Sequence, residues 1–509
     1  MSLRSKLLAL AIVGVYAVAM VSTNGRYTIL DDESTIVSVA GNPVLPTVAL
    51  YLHGDSLNEH PPASDILLHA WMVATGYSFF ALRIFANIFY ILGVLFLACS
   101  AKKLAGTRAW WLALVLGFAW PFALQYGRIT GWYCCSFFLV AAITWLYLGI
   151  VEESGRAYWV AFTTTAVLMA WTNYFAVATL LLLLADLLLF HRKVARTNRT
   201  ALLISMAAVA VSYLPLLRTV IGNLQIHSVG VHSSFDGKAM VAEVGYTLFS
   251  MFGSVAVAPW FLPLSVPVFA ATFALIVAIW FSSGRRWLIY FGISLFLLAL
   301  SGHMDVKRVL FLLPWLFVAM VLGARSSSAM YPRLASATIT TIVVAGWIGI
   351  VSGKHYATTN LLEPWSKVAA VVAGDARRGS TIVSDSFPFF FYLNYQLGLE
   401  RETQAATGPD LTAELYESHG FRIFEPDGEE QWLNGLKGKV VLVSGASYLD
   451  DVQWTASIDA ALRERCRVQG EYRAAPDPAF ALKARFAKNA PALAYRTQVT
   501  WFDCSASAN

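Results

Sequence analysis

Three adjacent carboxylates, Asp31, Asp32 and Glu33, follow the apolar run of residues 5–22. Carboxylates this close repel one another and attract cations, and one of them held with a raised pKa would serve as a general base. The same residues also suit an acidic cap on a helix beginning near Ser34, where negative charge meets the positive end of the helix dipole. A second group is His53, Asp55, Glu59, His60 and Asp65, two His and three acids within thirteen residues. These are ligand types for a divalent cation, although their spacing matches no standard metal motif. The other reading is a polar loop capping a helix that starts after Pro62. A third group is basic: Arg83, Arg128, Arg218, Lys307 and Arg308 lie in or beside apolar runs. A charge at membrane depth is costly, so such residues have a partner or a task. Arginine binds phosphate oxygens in a bidentate fork; contact with lipid head groups is the alternative. Trp132 and Tyr133, next to Arg128, fit an aromatic belt at a membrane interface. Asp186 lies inside an apolar run and is expected to pair locally.

The elements that must carry these groups are mostly membrane spans. Of 509 residues, 57% are hydrophobic and 13% charged, against about 25% charged in an ordinary soluble domain. The deficit falls in residues 1–355, where runs of spanning length recur. Eleven spans are expected, near residues 5–22, 80–99, 110–125, 131–150, 158–172, 174–190, 201–218, 264–282, 287–301, 308–323 and 334–352. Arg4 and Lys6 before the first run also fit a secretory signal peptide, but with so many spans behind it a retained helix is expected. Residues 245–262 are apolar too, and are read as a helix lying at the interface.

Basic residues set the orientation. With eleven spans, Arg4 and Lys6; Lys102, Lys103 and Arg108; Arg192, Lys193, Arg196 and Arg199; Arg285 and Arg286; and Arg325 and Arg333 all fall on one side, the cytoplasmic one. The chain then reads as a multi-pass protein of a bacterial inner membrane. Residues 1–355 form the membrane module, with a first outer loop at 23–79 and a second outer segment at 219–262. Residues 356–509 form a domain outside, in the periplasm. Inner loops are short, so chemistry is expected on the outer face. The net charge of +6 belongs to this topology signal and does not point to nucleic acid. No internal repeat marks an inverted-repeat transporter.

In the C-terminal part, residues 365–373 read as an amphipathic helix. Segments 380–385, 440–444 and 497–502 read as strands, with helices near 409–419 and 456–467. This alternation indicates a small α/β domain. It carries no Walker-type loop and no dinucleotide glycine fingerprint. Cys99, Cys134 and Cys135 sit in or beside spans and read as packing residues. Cys466 and Cys504 could form a disulfide if the domain is exported.

Several stretches, in this order, resemble GT-C-fold glycosyltransferases of the protein O-mannosyltransferase and aminoarabinose transferase branch. They are Asp32-Glu33, His60–Arg83 (HPPASDILLHAWMVATGYSFFALR), Gln125–Tyr133 (QYGRITGWY), Thr172–Val177 (TNYFAV), Val306–Leu316 (VKRVLFLLPWL) and Glu363–Asp385 (EPWSKVAAVVAG…STIVSD). In that family the acid pair leads straight into an aromatic-rich helix. Here it leads into STIVSVAGNPV, and Gly41-Asn42-Pro43 cuts the helix short. The resemblance implies transfer of a sugar from a polyprenyl-phosphate donor to a lipid, glycan or protein acceptor on the outer face. It implies Asp32 as general base, with Asp31 and Glu33 as the other members of the acidic set. Arg128, Lys307, Arg308 and Arg83 would meet the donor phosphate. His60, Glu59, Asn173 and Tyr174 would line the cavity and its acceptor side, and a divalent cation held by His53, Asp55 and His60 is compatible with it. In-line attack would invert the anomeric centre. Two other classes share the spans and the outer cations: a transporter or flippase for a lipid-linked sugar, and a scaffold for envelope assembly.

Overall fold

The computed structural model describes residues 3–24, 31–53, 60–153, 155–221, 237–254, 256–257, 259, 261–301, 306–325, 330–352, 365–384, 387–399, 416–424, 437–444, 451–474 and 498–505. The chain forms two compact units, Met1–Tyr27 with Val44–Ala357, and Thr28–Pro43 with Thr358–Asn509. The acidic segment therefore groups with the C-terminal part of the chain rather than with the helices that flank it in sequence.

In chain order the helices are α1 (Leu3–Asn24), α2 (Asp31–Gly41), α3 (Val44–His53), α4 (Ala63–Thr75), α5 (Phe79–Ala119), α6 (Pro121–Tyr126), α7 (Trp132–Glu153), α8 (Arg156–Ala170), α9 (Tyr174–Phe190), α10 (Arg192–Thr197), α11 (Arg199–Tyr213), α12 (Gly237–Gly253), α13 (Leu262–Trp280), α14 (Arg285–Leu300), α15 (Leu313–Gly323), α16 (Met330–Ser352), α17 (Trp365–Arg377), α18 (Phe387–Leu397) and α19 (Asp451–Arg465). The first unit holds α1 and α3 to α16. It is a multi-pass membrane protein module, and all eleven apolar runs are helical in it. Among the described residues, six helical segments are long and apolar enough to cross a membrane by length and composition: Leu7–Asn24, Phe79–Ala119, Trp132–Glu153, Arg199–Ile221, Leu262–Trp280 and Met330–Ser352. Tyr174–Phe190 and Arg308–Gly323 are shorter apolar helices.

The expected second and third spans join in α5, which bends where Ala105 leaves helical geometry and Gly106 takes φ +81°. Only glycine adopts that φ cheaply, so the bend is written at this residue. The expected interface helix over 245–262 is displaced. It begins at Gly237 and ends at Gly253, because Ser254 turns to φ 68° and its hydroxyl accepts from the Ala256 N–H at 3.2 Å. The helix expected from Ser34 begins three residues earlier, so the three acids occupy its first turn, where the dipole favours them.

Lys103 on α5 pairs with Glu152 at 2.7 Å and Glu153 at 3.2 Å at the C-terminal end of α7. Near that end lies Asp186, which is buried. It has the expected local neighbour, His191 Nε2 at 3.8 Å, and is bonded across helices as well. The Tyr147 hydroxyl of α7 and the Tyr290 hydroxyl of α14 both donate to it, and Arg286 of α14 forms an ion pair with it. Arg286 also donates to Tyr290 at 2.9 Å and to Tyr147 at 3.3 Å. One carboxylate thus ties α7, α9 and α14 together, and each buried polar group in the knot has a counterpart.

The second unit contains α2, α17, α18, α19 and a five-stranded mixed sheet, the small α/β domain read in the sequence. Its strands are β1 (Thr381–Ser384), β2 (Arg422–Phe424), β3 (Lys439–Ser444), β4 (Arg467–Arg473) and β5 (Gln498–Asp503), in the order β2-β1-β3-β5-β4. β1 runs parallel to β2 and β3, while β5 is antiparallel to β3 and β4. Val383, Val440, Leu442 and Phe502 from the sheet pack with Ile458 and Leu462 of α19. Cys466 and Cys504 are disulfide-bonded, with Cα atoms 4.5 Å apart, and join the end of α19 to the end of β5. Helix α2 packs on α18 within this unit.

Candidate active site

At the opposite end of α7 from the Asp186 knot, the chain makes a short turn, Gly127–Gly131, between α6 and α7. Arg128 sits on this turn and Arg83 one turn into α5; their side chains are 1% and 0% exposed. Burying a guanidinium is expensive unless its N–H groups are satisfied. Arg128 Nη1 donates to the Thr23 hydroxyl at 2.7 Å, on the last turn of α1. Arg83 Nη1 donates to the Arg128 carbonyl at 2.7 Å. Asn87, one helical turn beyond Arg83, donates to the Gly127 carbonyl at 3.4 Å and accepts from Asn24 Nδ2 at 2.8 Å. Thr130 returns a bond to the Leu82 carbonyl at 3.1 Å. The ends of α1 and α5 therefore grip one four-residue stretch of backbone, and Arg128 is fixed by it.

Gly127 makes the close approach possible. A Cβ there would stand 2.5 Å from the Ala123 carbonyl and 2.9 Å from the Tyr90 ring. Tyr90 itself is anchored by its hydroxyl to the Gly117 carbonyl. On the other side of the turn, Gln125 and Ser254 are hydrogen-bonded through their side chains.

His60 lies beside this turn through Trp132. Its ring is buried against Trp132 with centroids 3.8 Å apart, stacked on Tyr174 at 5.0 Å and edge-on to Phe175 at 6.0 Å. Trp132 stacks in turn on Tyr133 at 3.9 Å. Asn173 caps α9 by accepting from the Phe175 N–H at 2.9 Å, and the Ala63 N–H bonds the Trp171 carbonyl at 2.9 Å. These bonds bring the starts of α4, α7 and α9 together. Nearby in sequence, the buried carboxylate of Asp65 accepts from Tyr51 at 2.7 Å and from Ser64 at 3.4 Å.

The predicted residues thus separate into groups. Arg83 and Arg128 come together, as do His60, Asn173 and Tyr174. Lys307 and Arg308 stand half-buried where a 3₁₀ turn, Arg308–Leu312, leads into α15. Glu33 is buried on α2 in the other unit. The side chains of Asp31, Asp32 and His53, and residues Asp55 and Glu59, lie outside the described residues. Among the described residues no group of three His, Cys, Asp or Glu is arranged to hold a metal ion, and the ring contacts of His60 are aromatic. Sequence reading missed Thr23, Asn24 and Asn87. Asn87, an amide within an apolar helical run, was the available signal, since polar side chains at such depth seek bonding partners.

No protein-family model matches this sequence, and no curated protein matches it either. Solved structures do. The ArnT structure from Cupriavidus metallidurans in the apo state matches with TM-score 0.59 at 12% identity, covering 99% of each chain. The structure of that protein bound to undecaprenyl phosphate matches with TM-score 0.52 at 13% identity, covering 99% of this chain and 98% of the other. An oligosaccharyltransferase from Archaeoglobus fulgidus in the apo form gives 0.46 at 11% identity, over 93% of this chain and 74% of that one. From end to end, the chain has the ArnT fold, the GT-C fold that the sequence resemblance implied.

Proposed function

We propose that the protein is a membrane glycosyltransferase that moves a sugar from a polyprenyl-phosphate donor to an acceptor hydroxyl on the outer face of a bacterial inner membrane. The observation that carries this reading is the pair of buried arginines, held rigidly at one end of a bundle whose fold is shared with a protein solved bound to undecaprenyl phosphate. A lipid tail explains why such a site belongs among membrane helices. A phosphate leaving group explains why guanidinium groups are kept there despite their cost.

In the proposed reaction, Asp32 takes the proton of the acceptor hydroxyl, and the hydroxyl oxygen attacks the anomeric carbon. The bond from that carbon to the phosphate oxygen breaks, its electron pair leaves with the phosphate, and the configuration inverts. Arg128, Lys307 and Arg308 meet the charge growing on the phosphate, the kind of fixed electrostatic support that supplies a large share of catalysis. Asp31 and Glu33 are the other carboxylates on the same helix turn. The Cys466–Cys504 disulfide supports an exported second unit, because disulfides persist in oxidising compartments. The run of basic loops on the other side of the spans supports the same orientation.

The test is transfer by the purified full-length protein in liposomes loaded with undecaprenyl-phosphate sugar. Asp32→Asn is expected to abolish turnover while undecaprenyl phosphate still binds. Turnover that survives the change removes Asp32 as the base. Movement of the lipid-linked sugar across the bilayer with no transfer at all makes the protein a flippase instead. Lipid-linked sugars extracted from cells with and without the gene name the donor by mass spectrometry, since an unused donor accumulates.

A further inference from the structure

The stretch Gly127–Thr130 is held by one face of α5, and that face carries two side chains a helical turn apart. Arg83 reaches the carbonyl of Arg128 at 2.7 Å, and Asn87 reaches the carbonyl of Gly127 at 3.4 Å. Residues four apart on a helix share a face, so the pair addresses two consecutive peptide groups. Tyr90, three residues further on, closes against Gly127 from the same face. Asn87 is also bonded to Asn24, next to the Thr23 hydroxyl that receives Arg128. Backbone position and guanidinium direction are thus set by the same few residues. We infer that Arg83 and Asn87 are positioning residues for Arg128: they act on a phosphate ligand through the turn that presents it. This inference rests on the proposed role of Arg128, and it moves Arg83 out of the set that contacts phosphate.

Three observations favour positioning. A side chain that holds a main-chain carbonyl constrains φ and ψ of the residue that follows, which a contact to a side chain does not. The turn is short and flanked by helices, so a fixed carbonyl leaves it little freedom. An amide such as Asn87 has no charge to offer a phosphate, yet it belongs to the same clamp.

A double-mutant cycle separates positioning from direct contact, because residues acting through one another give non-additive losses. The measurement is the affinity of the purified full-length protein, in lipid nanodiscs, for undecaprenyl phosphate itself. Arg83→Gln and Asn87→Leu are each expected to weaken binding about tenfold in the parent chain, the size of one hydrogen bond to a charged group. In an Arg128→Gln background each is expected to add less than about twofold, within the error of additivity. Losses that multiply in that background overturn the inference and return Arg83 to direct contact. If Arg128→Gln alone leaves affinity unchanged, the proposed role of Arg128 fails, and that outcome is distinct. Thermal unfolding of every variant accompanies the cycle. Should Arg83→Gln fail to fold, Asn87→Leu and Thr130→Val, which removes the bond to Leu82, carry the same test.

Discussion

The two ends of α7 each hold a guanidinium against the helix bundle and use it differently. Tyr147 lies fifteen residues along α7 from Trp132, roughly 22 Å at the helical rise. At the Tyr147 end, Arg286 meets a carboxylate, and two tyrosine hydroxyls and the His191 ring join it around Asp186. Its charge is compensated inside the protein, and three helices are joined by it. At the Trp132 end, Arg128 donates to a neutral hydroxyl, and Arg83 to a backbone carbonyl. A bond to a hydroxyl or to a backbone carbonyl fixes the direction of a guanidinium N–H. The first arrangement joins three helices, and the second holds a short turn. What the N–H groups of an arginine touch, and not its depth alone, therefore decides what it holds together.

The largest expected effect lies at the Asp186 end. Asp186→Asn leaves Arg286 without its carboxylate, and breaking a buried pair by removing one partner costs about 3 kcal/mol or more. Arg286 remains partly accessible, with 36% of its side chain exposed, which holds the loss to the lower end of that range. Denaturation of the detergent-solubilised protein is expected to show this destabilisation. The molecules that remain folded are expected to bind undecaprenyl phosphate with unchanged affinity. A fall in affinity at constant folded fraction would merge the two ends into one functional network and break the comparison.

Arg128→Gln is expected to give the reverse pattern. Removing a hydrogen bond to a charged group costs about 1.5–3 kcal/mol, so affinity for undecaprenyl phosphate should fall about tenfold or more. Isothermal binding in nanodiscs measures it. The midpoint of unfolding should move less than for Asp186→Asn, whose knot joins three helices.

Gly127→Ala sharpens the same point with a smaller change. The added Cβ meets the Ala123 carbonyl at 2.5 Å, and backbone cannot yield as a flexible side chain would. Overpacking of this kind costs about 1–3 kcal/mol, and here it is spent on displacing the turn. Affinity is expected to drop to a level between that of the parent and Arg128→Gln. An unchanged affinity would mean that the turn tolerates displacement, which would weaken the case for a preorganised clamp.

The contrast between the ends also explains what the sequence could reveal. The eleven runs of spanning length are helical, because spanning hydropathy is a local property summed over one segment. Arg83, Arg128, His60 and Asp186 stood out singly, since an ionisable residue in an apolar run is visible without any partner. Their partners were not visible. Asp186 finds Arg286 one hundred residues away, and Arg128 finds Thr23 at a separation of 105, which is tertiary information. Helix α2 shows the same limit: its Gly41 end was legible, but its grouping with the C-terminal unit was not. Strand β4 escaped because its sequence, RVQGEYR, alternates between exposed and half-buried residues and is broken by a bulge between Val468 and Gly470. No apolar face marked it.

The smallest expected effect comes from an ion pair of the same chemistry in water. Arg463 on α19 donates to Glu471 on β4 at 2.6 Å, and both stand at the surface of the second unit. The hydrogen bond from Arg463 holds the Glu471 carboxyl below the usual glutamate range. A depressed folded value means that the pair stabilises fully above the unfolded pKa, near 4.3. The contribution is lost as pH falls through the depressed folded value. Near neutral pH the pair is intact, but solvent screens it and side-chain entropy opposes it, so exposed pairs contribute little. Glu471→Gln is therefore expected to leave the unfolding midpoint at pH 7 nearly unchanged, against the large shift for Asp186→Asn. The difference between parent and variant should shrink further below pH 4. A Glu471→Gln loss that rivals Asp186→Asn would mean that pairing itself, rather than burial with tyrosine partners, gives the Asp186 knot its strength.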